Sequence, residues 1–362
     1  MKTSPLTRPQ KEAVGLLSIG TFLEYFDLML YIHMAVILNK LFFPQTDKFM
    51  GQLLGAFSIA STFALRPIGG YIIGYIGDAI GRKHTIMITT FIMGLCCVGM
   101  ARLPTYEEIG ITASIWMIIF RALQGFSSMG EKLGAQLYMS EMLRQPNSYI
   151  ATWIIHIQAD LGGLCALLIA LCSIYYDFNW RLAFWIGAVI AIIGVVARTK
   201  LRETPEYIDY RRRLRNKNIE VDISQEGFDT KAALSYFVIR VFACVSFYVA
   251  YIYIIEVKKE LINLDIRDIV IHNSIFCLFA IVISLLLNII LTFRRHPIKI
   301  ANGYIWLLSV FIFLIPYCIY NTSTTQGLYF LQFVLSLPTL SMSGLEVVCF
   351  KHINITTRFR VL

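Results

Sequence analysis

Charge is scarce in this chain. Asp, Glu, Lys and Arg make up 15% of its 362 residues, against about 25% in soluble globular proteins, while 57% are hydrophobic and mean hydropathy is +0.65. That deficit excludes a soluble enzyme and a disordered chain. The net charge of +9 does not point to nucleic acid, because nearly all the charges lie in short links between apolar blocks. The spacings that carry chemistry elsewhere are missing too. No HExxH, GxSxG or phosphate-binding glycine loop occurs in the apolar blocks, so no enzymatic activity and no cofactor is expected. The eight cysteines form no CxxC or Cys/His pattern, which excludes a disulfide-rich secreted domain and a metal centre. They are read as small residues facing lipid or core, the adjacent Cys96 and Cys97 included. No cleavable leader is expected, since the first apolar block is too long and no small-residue cleavage site follows it.

What is present is a series of apolar blocks of about 20 residues, the thickness of a bilayer's hydrocarbon core at 1.5 Å per residue. Ten candidate spans are legible: Ala13–Leu38, Gln52–Ile76, Thr85–Ala101, Ile111–Met139, Ile150–Ile174, Leu182–Ala197, Ala232–Glu256, Ile269–Thr292, Ala301–Tyr320 and Leu328–Phe350. Backbone in lipid must satisfy its own hydrogen bonds, so the blocks are helices and the fold class is all-α, a polytopic membrane bundle. With the amino terminus inside, 21 Lys and Arg fall on the inner side and 7 on the outer, which predicts that both termini are cytoplasmic. The long link is basic and carries Arg211-Arg212-Arg213-Leu214-Arg215, read either as an anchor on anionic headgroups or as a regulatory site. The expected organisation is a six-helix bundle over 1–198, a cytoplasmic linker over 199–231 and an incomplete four-helix bundle over 232–362, the layout of transporters built from two halves. Nothing in the pattern fixes an oligomeric state.

Ionisable groups inside spans are costly and mark an interior or wet face. In span one Thr21, Glu24 and Asp27 recur at i, i+3, i+6; in span four Arg121, Gln124, Ser128, Glu131 and Lys132 share one stripe. Two polar stripes on apolar helices imply a central aqueous cavity. Glu24 and Asp27 lie one turn apart and repel if both ionise, so one is expected to hold a proton at neutral pH. Either Asp27 couples transport to protons or it only pairs with a cation such as Arg66. Arg121 and Glu131 are readable as a buried ion pair, and Glu131 otherwise as a substrate contact or proton carrier. His156 and Asp160, four residues apart in span five, form either a functional pair or an interior hydrogen bond. Lys132 and Arg66 suit a substrate carboxylate. Tyr25, Phe26, Tyr138, Trp153, Tyr248 and Tyr251 are candidates for an aromatic cage around a quaternary ammonium.

The most specific stretch joins spans two and three: Gly74-Tyr75-Ile76-Gly77-Asp78-Ala79-Ile80-Gly81-Arg82-Lys83. A link this short needs glycines for its turn. It resembles the G-xx-GD-xx-GR-[KR] loop of the major facilitator superfamily. Gly20-Thr21-Phe22-Leu23-Glu24-Tyr25-Phe26-Asp27, Leu65-Arg66-Pro67-Ile68-Gly69-Gly70, Arg121-Ala122-Leu123-Gln124-Gly125-Phe126 and Leu201-Arg202-Glu203-Thr204-Pro205-Glu206 are similar to the metabolite:proton symporters within it, on the branch that carries proline and glycine betaine. The likeness is dense over 15–210 and thin afterwards. It implies proton-coupled symport of a small zwitterionic or carboxylate solute across a bacterial inner membrane, with a dicarboxylate such as 2-oxoglutarate as alternative. It also implies that Arg121 is a proton-relay partner, and that Gly74, Gly77, Asp78, Gly81, Arg82 and Lys83 form a gating latch outside the binding pocket.

Two departures stand against that implication. The second half lacks the repeated loop, reading Leu291-Thr292-Phe293-Arg294-Arg295-His296-Pro297 at the corresponding place. The family's eleventh and twelfth spans have no counterpart, so the latch is expected to lack its packing partner, and a truncated, non-transporting paralogue or sensor is the alternative reading.

Overall fold

The computed structural model describes residues 5–44, 48–175, 179–217, 230–250, 266–293, 325–337 and 343–353, with single positions at 303, 306, 310, 313 and 358. Helices account for nearly all of them, and no strand occurs among the described residues. The first part comprises α1 (Arg8–Phe42), α2 (Lys48–Ala64), α3 (Arg66–Ile80), α4 (Arg82–Arg102), the single turn α5 (Tyr106–Ile109), α6 (Ile111–Met142), α7 (Asn147–Tyr175) and α8 (Trp180–Arg198). Then come α9 (Pro205–Lys217), α10 (Thr230–Tyr248), α11 (Ile266–Phe293), α12 (Thr325–Ser336) and α13 (Ser343–His352). All but four positions of the expected ninth span, Tyr251, most of the linker beyond Lys217 and the loop from Arg294 to Pro297 lie outside the described residues.

Among the described residues five stretches are long and apolar enough to cross a membrane: Arg8–Ala35, Phe49–Ile80, Arg82–Arg102, Asn147–Ser173 and Ile271–Ile290. The second expected span is divided. α2 and α3 meet at Leu65, with Pro67 in the first turn of α3, where its missing N–H costs no helical bond. The tenth expected span is also not one described helix: α12 closes at Ser336, two residues before Pro338, as chains do ahead of a proline.

α1 runs along α7 and also touches α6 and α8; α4 lies between α6 and α8, and α2 and α3 cover another side of α6. Small residues allow this proximity. A Cβ on Gly162 of α7 would strike the Phe22 carbonyl of α1, one on Gly69 of α3 the Phe126 carbonyl of α6, and one on Gly125 of α6 the Thr62 carbonyl of α2. Large apolar side chains point away from these seams, among them Phe57, Tyr71, Phe91, Leu95 and Ile192, and form the outer faces of the helices. In the second part α10 touches α12 and α13, α13 also touches α11, α11 rests on α7, and α13 rests on α6 and α7. The two parts therefore meet along α6 and α7.

Candidate functional site

Inside the first part the polar side chains form layers along the bundle. One centres on Asp27 of α1 and Arg121 of α6, both 0% exposed. Cys97 of α4 donates its thiol hydrogen to Asp27 Oδ2 at 2.6 Å, and Arg121 Nη1 donates to Gln124 Oε1 at 2.9 Å. Gln124 Nε2 approaches Cys97 Sγ at 3.9 Å, completing a chain from the guanidinium to the carboxyl. The Arg121 guanidinium stacks over Tyr31 at 4.1 Å, and Tyr31 shares a hydrogen with Ser58 of α2 at 2.8 Å. Among the described residues, Asp27 Oδ1 and the Nε and Nη2 atoms of Arg121 are buried without a hydrogen-bond partner. Asp27 Oδ1 packs where a Cβ on Gly187 of α8 would sit.

A second layer lies about 15 Å further along α6, ten residues at 1.5 Å each. Glu131 Oε2 accepts from Arg198 Nη1 of α8 at 2.6 Å, and its Oε1 accepts from Thr89 Oγ1 at 2.9 Å and from Thr90. Arg198 also donates to Thr90, and its guanidinium fills the space that a Cβ on Gly20 would need. Beside this pair Glu24 Oε2 accepts from the Lys132 backbone N–H at 2.9 Å. Lys132 Nζ donates to the Tyr25 hydroxyl at 2.9 Å and lies over that ring at 4.4 Å. Tyr25, Arg66, Lys132 and Asp160 are all half-buried, and Lys132 is within electrostatic reach of both Glu24 and Asp160.

A third layer closes the end of the bundle that carries the α3–α4 turn. Gly81 joins the two helices at φ +108°, a backbone conformation that favours glycine, and a Cβ there would also meet Glu203. Arg82 Nη1 donates to Asp78 Oδ1 at 2.9 Å and to the Gly77 carbonyl at 2.8 Å, while Nη2 donates to Glu141 at 3.1 Å. Glu203 caps the start of α4, accepting from the Arg82 and Lys83 backbone N–H groups at 3.0 and 3.2 Å. From α9, Tyr207 and Arg211 donate to the Ala79 carbonyl at 2.9 and 2.6 Å. Burial raises the Tyr207 phenol above its ordinary range, which keeps the hydroxyl a donor. Arg358 reaches this cluster from beyond α13, donating to Glu141 at 3.3 Å and Glu206 at 3.0 Å.

Several expected partners are different ones. Arg121 does not pair with Glu131, because ten helical residues separate them and Glu131 is taken by Arg198. Asp27 meets Cys97, not Arg66. His156 of α7 meets Glu346 of α13 at 2.6 Å and Gln136 of α6 at 2.5 Å; Asp160 is not among these partners. Cys97 is part of a polar layer and not merely filler. Arg198 belongs to the bundle interior, although the charge count placed it in the basic link. The latch has partners in α9 and Arg358. Phe26 and Tyr138 are buried in separate apolar clusters and do not share a cage. Glu346 had a readable signal, a lone acid inside an apolar block, and so did Glu203 through its motif. A cysteine beside a carboxylate carried none.

Comparison with known proteins decides the lineage of this bundle. The model of the Major Facilitator Superfamily matches residues 17–350. The chain belongs to the major facilitator superfamily. Among curated relatives, a "Putative proline/betaine transporter" of Staphylococcus aureus strain MSSA476 is 27% identical over 372 residues, covering 96% of this chain and 77% of the relative. The "Proline/betaine transporter" of Escherichia coli K12 is 30% identical over 211 residues, 54% of this chain and 41% of that one. Among solved structures, a proton:xylose symporter bound to 6-bromo-6-deoxy-D-glucose superimposes with a TM-score of 0.76 at 15% identity, over 97% of this chain and 85% of that one. The human organic anion transporter MFSD10 gives 0.61 at 11% identity, over 98% and 91%. This member of the superfamily is thus a multi-pass membrane transporter of a small solute and not an enzyme.

Proposed function

We propose that the chain is a secondary active transporter that couples symport of a small zwitterionic or carboxylate solute, of the proline or betaine kind, to protons. The observation that carries the coupling is the Asp27 layer. A carboxylate and a guanidinium are withdrawn from water there without touching each other, and each keeps bare polar atoms. An uncompensated buried anion costs several kcal/mol, whereas a neutral acid does not. Proton loss from Asp27 therefore forces a rearrangement toward Arg121, and a rearrangement driven by one proton is what coupling needs. The solute site in this reading is the half-buried group beside the Glu131 pair. Lys132 and Arg66 take a carboxylate, and Tyr25 and Asp160 face a cationic centre. Relatives named for proline and betaine support that class, and a dicarboxylate is the alternative.

In the same reading 1–198 and 232–362 are two bundles that rock about this cavity. The α3–α4 end faces the cytoplasm of a bacterial cell, as the 21-to-7 distribution of Lys and Arg supports. Gly74, Gly77, Asp78, Gly81, Arg82 and Lys83 then form the gating latch. His156, Gln136 and Glu346 tie α6 and α7 to the second bundle on that side.

Uptake by proteoliposomes under an imposed proton gradient tests the proposal, with labelled proline, betaine and 2-oxoglutarate. Acid-stimulated accumulation of one of them is expected, and Asp27→Asn should abolish the stimulation at unchanged protein level. Accumulation that responds to acid equally in Asp27→Asn would refute the coupling. Silence toward all three solutes would favour the sensor or non-transporting reading.

A further inference from the structure

The thiol in the Asp27 layer has no role in the mechanism above. We propose that Cys97 is a positioning residue: its S–H holds the Asp27 carboxyl on the α4 side of the layer, out of contact with Arg121, and the ion pair forms only when that hold is released. This inference rests on the reading of Asp27 as the proton site.

Four observations support it. Cys97 is 0% exposed, and its Sγ lies 2.6 Å from Asp27 Oδ2. The other carboxyl oxygen is bare and seated against the backbone of Gly187, so the thiol is the sole hydrogen-bond donor to this carboxyl among the described residues. Arg121 is held separately by Gln124 Oε1 and by the face of Tyr31, with two nitrogens left bare. Gln124 in turn touches Sγ, so a change on either side of the thiol reaches the other. The ionisable groups facing Asp27 are Cys96 and Cys97 on α4 and Arg121 on α6, with Glu24 and Tyr31 one turn away on its own helix; α8 presents Gly187.

The chemistry suits a hold that must let go. A thiol is a weak donor, so the contact restrains the carboxyl without trapping it. A plain electrostatic donor and a positioning residue also differ in sign. If Cys97 only stabilised the anion, its removal would move proton-dependent uptake to higher pH. If it keeps the carboxyl from Arg121, its removal lets the opposite charges meet and moves uptake to lower pH, by about one unit or more.

The experiment uses the full chain as Cys97→Ala and Cys97→Ser, reconstituted beside the parent. Cys97→Ala should move the pH of half-maximal uptake down by about one unit, and Cys97→Ser, which keeps a donor, should stay near the parent. No shift, or an upward one, overturns the proposal. A second readout does not need transport. The infrared S–H stretch of Cys97, identified by its loss in Cys97→Ala, should move to higher frequency in Asp27→Leu, where the acceptor is gone. A band that stays in place overturns the thiol–carboxyl contact even if uptake is silent. If uptake in Asp27→Asn remains acid-stimulated, the proton-site reading fails by itself, and the infrared band still decides the contact.

Discussion

The layers around Asp27 and Glu131 are built from the same residue types and treated in opposite ways. In the Glu131 layer an acid and an arginine are in direct contact at 2.6 Å, and two threonine hydroxyls complete the carboxylate. In the Asp27 layer the acid and the arginine are equally buried, yet a glutamine and a cysteine stand between them. A satisfied carboxylate resists change, since parting the pair would leave two uncompensated charges, even though Arg198 keeps its own Nε and Nη2 bare among the described residues. An unsatisfied one gains from rearranging. The difference assigns fixed architecture to α4, α6 and α8 at Glu131, and leaves movable charge at Asp27.

The sharpest way to break this contrast is to remove one partner from each layer. Arg198→Ala leaves Glu131 buried and unpaired, and should destabilise the protein by about 3–5 kcal/mol. Glu131→Gln acts from the other side, leaving the Arg198 guanidinium unpaired. The double variant Glu131→Gln/Arg198→Met should recover most of the loss, because no lone charge remains. Asp27→Asn should change stability by less than about 1 kcal/mol, since no ion pair is lost. Thermal unfolding in detergent reads all four. Equal losses at Arg198 and Asp27 would erase the distinction between the layers.

Gly20 comes next. An added methyl would occupy the place of the Arg198 guanidinium, so Gly20→Ala should cost about 1–3 kcal/mol, the range for overpacking. The loss should shrink in the Arg198→Ala background, because the two sites are coupled through one volume. An additive loss would mean that Gly20 serves the helix seam and not the arginine.

This glycine illustrates how far sequence reaches here. Gly20 stood in a quotable motif, and its neighbours Thr21, Glu24 and Asp27 formed a stripe that periodicity alone revealed. The α3–α4 latch was equally legible, because Asp78 and Arg82 lie on adjacent turns and meet locally. What periodicity cannot supply is which stripe faces which. Arg198 is 67 residues from Glu131, Cys97 70 from Asp27 and Glu346 190 from His156, and each pairing depends on how the helices are arranged around α6 and α7. Two of the false pairings, Arg121 with Glu131 and His156 with Asp160, join residues of one helix, where spacing is the sole guide; the third, Asp27 with Arg66, joins two helices whose facing no spacing reveals. Arg198 was misplaced for a related reason: a charge at the end of an apolar block normally reports topology, whereas this side chain runs back into the bundle through the gap at Gly20.

The smallest effect sharpens the same contrast. Thr62 of α2 donates its hydroxyl to the Arg121 carbonyl at 3.1 Å, and thereby holds the α6 backbone under the mobile charge without touching the charge itself. Hydrogen bonds between membrane helices average about 0.6 kcal/mol, since the released groups find other partners. Thr62→Val keeps the shape and removes the donor, so thermal stability should fall by about that amount. Thr89→Val removes a donor to a charged carboxylate in the paired layer and should cost about 1.5–3 kcal/mol. If the two valine variants melted alike, the carboxylate of Glu131 would not depend on its hydroxyl neighbours, and the difference between the layers would reduce to the single contact with Arg198.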